Sequence, residues 1–449
     1  MSRAVAALLL LALLPAAALA EDAAAPAPET VLTLDDAREQ ALAHNPELLS
    51  GALEVGIARE NLDIARSAWL PSLDANITAA GAKGYGRRDG APSTGLDPRL
   101  AAGAINAPSV YDRAAAGITL SQKLTDFGRT SSLIGGARSA LESEQDRYED
   151  RRQRLLLQVT ADYFAAREAQ SAVTATEKML RERSLLQDQI SLLQKNKLKS
   201  ELDVGFASVS VDQARLLILQ QQSEVDAALA RLCSDIGVPA GQPLVLADDG
   251  TVIRAPPPLL DPLLTQARAR RPELKSLREQ LDAARSYAKA QDRLGNPTLS
   301  LIGSAGTVPY GDDRLPENYA AGAVNLSIPI FDGGRLRAEA RTARLRAQQA
   351  ADALADAELA VTRDVRVAWL DASSSYQGIA VTRRLRSNAE HALELAASRY
   401  YLGLSSIVEL NRAQLNEMDA EIAHIRALYQ YQVAIARLAY EAGGEVWTQ

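Results

Sequence analysis

The stretch LSIPIFDGGR at residues 326–335 decides the architecture, because a second version of it stands 206 residues earlier. Leu120-Ser121 corresponds to Leu326-Ser327, and Asp126-Phe127-Gly128-Arg129 corresponds to Asp332-Gly333-Gly334-Arg335. Both versions run from alternating apolar and polar residues, through a glycine turn, into a long segment of strong helix formers. The pattern predicts strands that turn into helices. The expected strand-to-helix swivels are Asp126, Gly128, Asp332, Gly333 and Gly334.

The repetition extends over most of the chain. Asn45-Pro46-Glu47-Leu48 recurs as Arg271-Pro272-Glu273-Leu274 at a spacing of 226 residues. The spacing then falls to 206, so the first copy carries a longer loop by 20 residues. A duplicated chain with matched spacing predicts one structural unit present twice. We divide the sequence into a first repeat (21–237), a proline-rich linker (238–260), a second repeat (261–443) and a C-terminal tail (444–449).

Residues 1–20 are expected to be a signal peptide for secretion. Arg3 precedes an apolar run from Val5 to Leu14, and Ala18-Leu19-Ala20 has the small-residue pattern of a cleavage site. The apolar run is too short for a membrane-spanning helix. We therefore expect the mature chain to be exported, and to use strands if it crosses a membrane.

The composition argues against several classes of protein. The net charge is −7, and the chain holds one cysteine, Cys233, and three histidines. A nucleic-acid partner, a disulfide framework and a thiolate zinc site are therefore not expected. The sequence also lacks a recognisable catalytic constellation and a phosphate-binding glycine motif. We expect no enzymatic activity, no cofactor and no metal site.

Proline placement separates the predicted helices from the predicted strands. No proline occurs between Ser109 and Val238 or between Ile330 and Gln449, which permits very long helices because proline costs about 3 kcal/mol in a helix interior. The first long helix is predicted from about Arg129 to Lys197, roughly 100 Å. Alternation of apolar and polar residues predicts strands at about residues 70–82, 113–124, 297–305 and 320–331. The expected fold class is mainly α with a membrane β-barrel.

Aromatic residues make up only 4% of the chain, yet several gather at the predicted strand ends. Those at one end are Trp69, Phe127 and Phe331, and those at the other end are Tyr85, Tyr111, Tyr310 and Tyr319. Two aromatic girdles that flank an apolar band are typical of a barrel in lipid. The alternation alone would also fit a soluble sandwich. The signal peptide and the girdles together favour the barrel, with these residues at the membrane interface.

Four strands cannot close a membrane barrel, for which about eight strands is the practical minimum. An open sheet would leave backbone groups unpaired in lipid. The barrel prediction therefore requires oligomerisation. Three copies would supply twelve strands, but this arithmetic excludes only a monomer and does not select a trimer over a dimer.

The segment from Thr33 to Leu48, the Phe331–Arg335 turn and the tandem helix–strand–strand–helix duplication resemble the TolC-type outer-membrane efflux proteins. The resemblance covers essentially the whole mature chain. It implies a homotrimer with a shared twelve-stranded barrel in the outer membrane of a Gram-negative cell, and a long helical coiled-coil tunnel in the periplasm. It also implies a periplasmic membrane-fusion adaptor and an inner-membrane transporter as partners.

The resemblance implies the function as well. Such a protein is the passive exit duct of a tripartite efflux or type I secretion complex. The competing interpretation is a periplasmic coiled-coil adaptor or structural protein without a membrane barrel. The aromatic girdles and the double repeat favour the duct, because an adaptor needs one helical hairpin and no barrel.

The long and short helices of each repeat are predicted to reverse at residues 196–200 and 402–406. Ser200 with Asp203 and Ser406 with Glu409 both fit the capping box that begins a helix. This structural role could account for both acids. With Gly403 and Ser405, the two serines form the predicted helix-tip turns, where the resemblance implies that the adaptor docks.

The resemblance also implies a periplasmic gate at these tips. The gate residues of the family correspond to Tyr400, Asp203 and Glu409. Two positions depart from the family pattern, because Ser405 replaces a gate arginine and Arg412 replaces a second acid. Glu409 and Arg412 are three residues apart and could pair on one helix. Our hypothesis is that Asp203 and Tyr400 latch the closed state, and that Glu409 biases ion conduction.

Overall fold

The computed structural model describes residues 31–80, 113–239, 244–247, 256–310 and 318–444. The predicted signal peptide lies outside these residues, as do Tyr85, Tyr111 and the last five residues of the chain. Among the residues that the structure describes, no helix is both long and apolar enough to cross a membrane.

The two repeats contain the same elements in the same order. The first consists of β1 (Val31–Leu32), α1 (Leu34–His44), α2 (Pro46–Ser67), β2 (Ser72–Ala80), β3 (Arg113–Thr125), α3 (Arg129–Lys195) and α4 (Glu201–Asp235). The second consists of β4 (Val245–Leu246), α5 (Leu260–Arg270), α6 (Pro272–Asp292), β5 (Thr298–Tyr310), β6 (Asn318–Ser327), α7 (Arg335–Tyr401) and α8 (Ile407–Glu441). β4 and the first residue of α5 lie within the segment 238–260 that the sequence assigned to the linker.

Local chemistry sets the helix bounds. The Thr33 hydroxyl accepts from the Asp36 amide, and the Asp36 carboxylate accepts in return, so α1 begins with a capping box. Asn45 caps α2, with Pro46 in the first turn, where a missing N–H costs nothing. The long helices α3 and α7 have 67 residues each, roughly 100 Å at 1.5 Å per residue. The returning helices α4 and α8 have 35 residues each.

The four long strands form one antiparallel sheet in the order β2-β3-β5-β6. β6 ends at Ser327 rather than near residue 331 as predicted. Pro329 follows closely and has no N–H for a ladder bond, which explains the earlier end. β5 instead continues to Tyr310, beyond the predicted end at 305, because it stays paired with β3 as far as Ala114.

One face of this sheet is apolar and the other is polar. Cross-strand neighbours share a face, and the register aligns Leu73 with Leu120 and Leu301 with Val324 on the apolar face. On the opposite face Asp74 aligns with Thr119. Ile77 on the apolar face is 87% exposed. The single chain therefore presents an uncovered apolar surface on its sheet.

The helices bury three separate apolar clusters. One joins α1 to α3 and α4 through side chains such as Ala41, Val159 and Leu232. Its counterpart in the second repeat joins α5 and α6 to α7 and α8. The third lies at the far end of the helices, where Ile190 and Leu410 bring both repeats together. The two helical hairpins are thus joined at their tips.

Candidate functional site

The swivels between strands and helices are held by carboxylates. Asp126 is buried and accepts from the Thr130 amide at 3.0 Å, and the Lys123 ammonium lies 3.7 Å away. Asp332 accepts from the amides of Gly334 at 3.1 Å and Leu336 at 2.8 Å. Each acid therefore caps the long helix that follows it.

The backbone takes the same unusual conformation at both swivels. Phe127 and its repeat equivalent Gly333 have φ values of 54° and 68°, and Gly128 and Gly334 have 92° and 88°. A left-handed conformation is costly for a residue with a Cβ atom, and Phe127 adopts it nonetheless. The turn geometry has therefore been retained where the sequence of the two copies differs.

The predicted interface aromatics fall into different environments. Phe127 and Phe331 are exposed at the junction of sheet and helices, and Trp69 is half-buried there, with its carbonyl accepting from Gln122 at 2.6 Å. Tyr310 is the last residue of β5.

The register of β5 and β6 determines the sheet face on which Tyr319 lies, while its predicted place at the membrane interface stays a prediction. Its register partner is Gly306, which pairs with Gly117, and a Cβ atom on Gly117 would collide with the Tyr319 hydroxyl. Gly117 shares its face with Thr119. Tyr319 therefore lies across two glycines on the polar face, because register and not proximity to a strand end decides the face.

The helix tips begin α4 and α8 with serine caps. The Asp203 amide donates to the Ser200 hydroxyl at 3.2 Å, and the Asp203 carboxylate accepts from the Ser200 amide at 3.0 Å, so this capping box is complete. At the second tip only one half forms, with the Glu409 amide donating to the Ser406 hydroxyl at 3.4 Å. The second tip turn contains Gly403 at φ 72°, two residues before Ser405.

Tyr400 is the most enclosed of the predicted gate residues, with 1% of its surface exposed. Ile190, Ala207 and Leu410 surround it. Within the described part of the chain, its hydroxyl has no hydrogen-bond partner. The Lys199 ammonium lies 3.7 Å from the ring centroid, a cation–π geometry.

Asp203 lies close enough to Tyr400 to act on it electrostatically. Burial, followed by the negative charge of Asp203, raises the pKa of Tyr400 to about 12. The Asp203 carboxylate is engaged with Ser200, however, and the Ser200 hydroxyl donates to it at 2.8 Å. The two predicted gate residues thus lie near each other without a direct hydrogen bond, and the latch stays a prediction.

Glu409 pairs with Arg399, a residue that the sequence pattern did not single out. Its carboxylate lies 3.3 Å from Arg399, across the turn, and both side chains are about half exposed. Arg412, the expected partner, is not the one used. The sequence does hold a signal for this pair. Arg399 lies three residues before the predicted reversal at 402–406 and Glu409 lies three residues after it, so the two side chains are expected to face each other across the turn. An exposed ion pair of this kind contributes about 0–1 kcal/mol.

A buried arginine joins the two hairpins above the tips, and nothing in the sequence pattern pointed to it. The Arg183 guanidinium of α3 donates to the carbonyl of Ser210 on α4 and to that of Gln414 on α8, at 3.2 Å each. The Ser210 hydroxyl donates to the Gln414 side chain at 3.1 Å. This polar contact ties the first repeat to the second.

In this duplicated chain, helices of 67 residues, roughly 100 Å long, run from an open antiparallel sheet. This is the architecture expected of a channel subunit that has a membrane end and a long helical extension. The comparisons with known proteins agree. The family model described as outer membrane efflux protein matches residues 37–238 and 263–444, one segment in each repeat. The chain belongs to this family of outer membrane efflux proteins.

Relatives cover nearly the whole chain. It is 27% identical to Protein CyaE of Bordetella pertussis over 92% of this chain and 84% of that protein. It is 26% identical to the alkaline protease secretion protein AprF of Pseudomonas aeruginosa, over 92% and 84% respectively. The solved structure of the outer-membrane channel OprN superposes with a TM-score of 0.79 at 20% identity, covering 92% of this chain and 90% of that one.

Membership in this family confirms two predictions. The chain is an outer-membrane protein of a Gram-negative bacterium, and it serves as an exit duct for efflux or type I secretion. The family is one of channel proteins. The competing interpretation as a periplasmic adaptor is thereby wrong.

Proposed function

We propose that three copies of this chain assemble into one duct, with a closed twelve-stranded barrel in the outer membrane and a helical tunnel in the periplasm. One observation carries the proposal. Where the two repeats meet inside the chain, surfaces of one repeat pack on surfaces of the other. The repeat equivalents of these surfaces lie at the outer ends of the chain and are exposed.

The sheet gives the first instance. Strand β3 of the first repeat pairs with β5 of the second. Their repeat equivalents are β6 and β2, which form the two edges of the four-stranded sheet. Unpaired edges are unfavourable in lipid. The equivalent β6–β2 pairing can be made only with another copy of the chain.

The helices give the second instance. Helix α3 packs on α6, where the hydroxyls of Ser143 and Ser276 are buried and 2.9 Å apart. The repeat-equivalent helices are α7 and α2. Along α2, Leu53 is 70% exposed and Ile57 and Ile64 are similarly open, and on α7 Leu345 is 71% exposed. Apolar stripes of this kind mark a packing surface, here for a second copy.

The charges on these two faces are complementary. Gly135 of α3 faces Ser286 of α6 inside the chain. Their repeat equivalents are Arg341 on α7 and Glu60 on α2, both exposed. The proposed contact between copies therefore brings an arginine opposite a glutamate. Two copies would already supply the eight strands that a barrel needs at minimum, so the choice of three copies rests on the TolC-type resemblance.

The helix tips then become the periplasmic mouth of the duct. Leu198, Leu402 and Leu404 are largely exposed there, beside the turn residues Ser200, Gly403, Ser405 and Ser406. This apolar rim supports docking of a periplasmic adaptor that links the duct to an inner-membrane transporter. Trp69, Phe127 and Phe331 lie at the opposite end of the long helices and mark the periplasmic membrane interface.

The gate is proposed at the same mouth. Tyr400, buried with Asp203 nearby, holds the tips closed, and Glu409 biases ion conduction while Arg399 and Arg412 moderate its charge. The buried hydroxyl of Tyr400 supports this role, because an unpartnered buried hydroxyl is unfavourable. A small movement of the tip that brings the Asp203 carboxylate to it would satisfy the hydroxyl.

Two measurements test the proposal. Native mass spectrometry of protein extracted from the outer membrane should give three times the mass of the mature chain, and a monomer or dimer would refute the trimer. In planar bilayers, Asp203→Ala combined with Tyr400→Phe should raise the resting conductance. Asp212→Ala, on the exposed face of α4, is the matched control. An unchanged resting conductance in the double variant would eliminate the latch while leaving the assembly intact.

A further inference from the structure

The two repeats end in an acid at equivalent positions, Asp235 on α4 and Glu441 on α8. In the second repeat this acid has a basic partner. Arg271, at the break between α5 and α6, lies 2.6 Å from the Glu441 carboxylate, and both side chains are less than a tenth exposed. The end of α8 is therefore fastened by a buried ion pair.

The first repeat has no such base. The position equivalent to Arg271 is Asn45, whose side-chain amide donates to the backbone carbonyl of Asp235 at 2.9 Å. The Asp235 side chain instead meets a second acid, Asp162 on α3, where the other repeat has Ala368. One carboxylate oxygen of Asp235 is buried without a hydrogen-bond partner among the described residues.

Three basic residues lie near the two acids, and in the contacts of the described residues none of them pairs with Asp235. On α4, Arg231 lies 3.5 Å from Asp162 and is half exposed. On α1, Arg38 donates to the Thr160 hydroxyl, and His44 contacts the Gln40 carbonyl through its ring. Glu47, in the first turn of α2 just after Asn45, is exposed.

Asp162 also accepts from the Gln158 amide at 2.8 Å, so its carboxylate is partly satisfied. Asp235 is the acid with a buried carboxylate oxygen that lacks a hydrogen-bond partner within the described residues. Two carboxyl groups in contact cannot both ionise without strong repulsion, and a proton shared between them removes it. Burial, reinforced by Asp162, raises the pKa of Asp235 to about 7.

We propose that Asp162 and Asp235 form a proton-binding pair, and that the bound proton fastens the end of α4 to α3. The inference does not depend on the proposed trimer or gate. The folded pair holds its proton more tightly than the unfolded chain does, so local opening at the end of α4 releases the proton. Opening therefore becomes more favourable as pH rises from about 4 to about 7, and levels off above that range.

The expected size of the pH effect follows from the binding of one proton, with a pKa of 3.8 for Asp235 in the open state and about 7 in the closed state. The opening equilibrium should rise about ninefold between pH 5 and 6, about fivefold between pH 6 and 7, and only about twofold between pH 7 and 8. Hydrogen exchange of the assembled protein in detergent measures this opening equilibrium. The readout is the protection factor of peptides that span residues 228–238, after correction for the intrinsic exchange rate at each pH.

Asp235→Asn replaces the protonated acid with a neutral amide of the same shape, which can donate to Asp162. Its protection factors should stay constant from pH 5 to 8. Asp226→Asn, on an exposed position of the same helix, should keep the wild-type dependence. Asp162→Asn should flatten the profile between pH 6 and 7, because Asp235 then loses the acid that it faces.

Three results would overturn the inference. The wild-type protection factors could be flat from pH 5 to 7, which would mean that no proton is bound. Asp235→Asn could retain the wild-type dependence, which would place the titrating group elsewhere. Asp162→Asn could leave the profile unchanged, which would show that Asp235 titrates without its neighbour.

Discussion

The duplication predicts the register between two copies of the chain, residue by residue. Inside the chain Thr119 on β3 lies opposite Ser304 on β5. Moving Thr119 by 206 residues gives Asn325 on β6, and moving Ser304 back by 226 gives Thr78 on β2. We therefore expect Thr78 of one copy to lie opposite Asn325 of the next. Cysteines at these two positions should form a disulfide between copies.

The geometry excludes a disulfide within one chain. β2 and β6 are separated by three strand spacings, about 14 Å, whereas a disulfide needs Cα atoms about 4.4–6.8 Å apart. Directly opposed residues in an antiparallel pair lie about 4.5–5.5 Å apart. A slip of two residues increases the separation to about 7–8 Å, and a slip of one turns the side chains to opposite faces.

The assay is a non-reducing gel of outer-membrane protein from the Thr78→Cys, Asn325→Cys variant. Cys233 is buried and is replaced by Ala. We expect covalent dimers and trimers that disappear on reduction. The matched control, Thr119→Cys with Ser304→Cys, should form its disulfide inside the chain and stay monomeric. Thr78→Cys with Ser327→Cys tests the register slipped by two residues.

Two outcomes would refute the reasoning. If the control pair oxidises and the Thr78–Asn325 pair does not, then β6 and β2 do not repeat the pairing of β3 and β5. If Thr78 bonds equally well to Ser327, then copies meet without a defined register. Either result would remove the sheet as support for the proposed assembly.

Three further predictions concern the helices. Glu60→Lys should weaken association by about 0.2–1 kcal/mol per contact, seen as a smaller trimer fraction on native gels, and adding Arg341→Glu should restore that fraction. Arg271→Ala should lower the free energy of unfolding, measured by chemical denaturation, by about 3–5 kcal/mol, because it leaves the Glu441 carboxylate buried without its partner. Replacing both residues with apolar side chains should recover most of this loss. Lys197→Gly should stabilise by about 1 kcal/mol, seen as a higher melting temperature, because Lys197 has a φ of 62°.

The bounds of the helices could be predicted because local chemistry determines them. Thr33 with Asp36 and Asn45 with Pro46 are caps that the sequence displays directly. The long helix ends at Lys195, close to the predicted Lys197. Contacts between distant segments could not be predicted in the same way. The face on which Tyr319 lies depends on strand register, and the partner of Arg183 depends on how two hairpins pack.

The conformation of a turn can be predicted from its repeat equivalent where its own residues do not show it. Lys197 takes the left-handed conformation of its equivalent Gly403, so the shape of the tip turn has been kept while its residue type changed. Where the repeats differ in burial, the cause lies in their surroundings. Ala290 is fully buried, whereas its equivalent Ile64 is largely exposed. A large apolar residue, Ile64, occupies a position that one chain leaves uncovered, and a second copy of the chain is the partner that we propose would bury it.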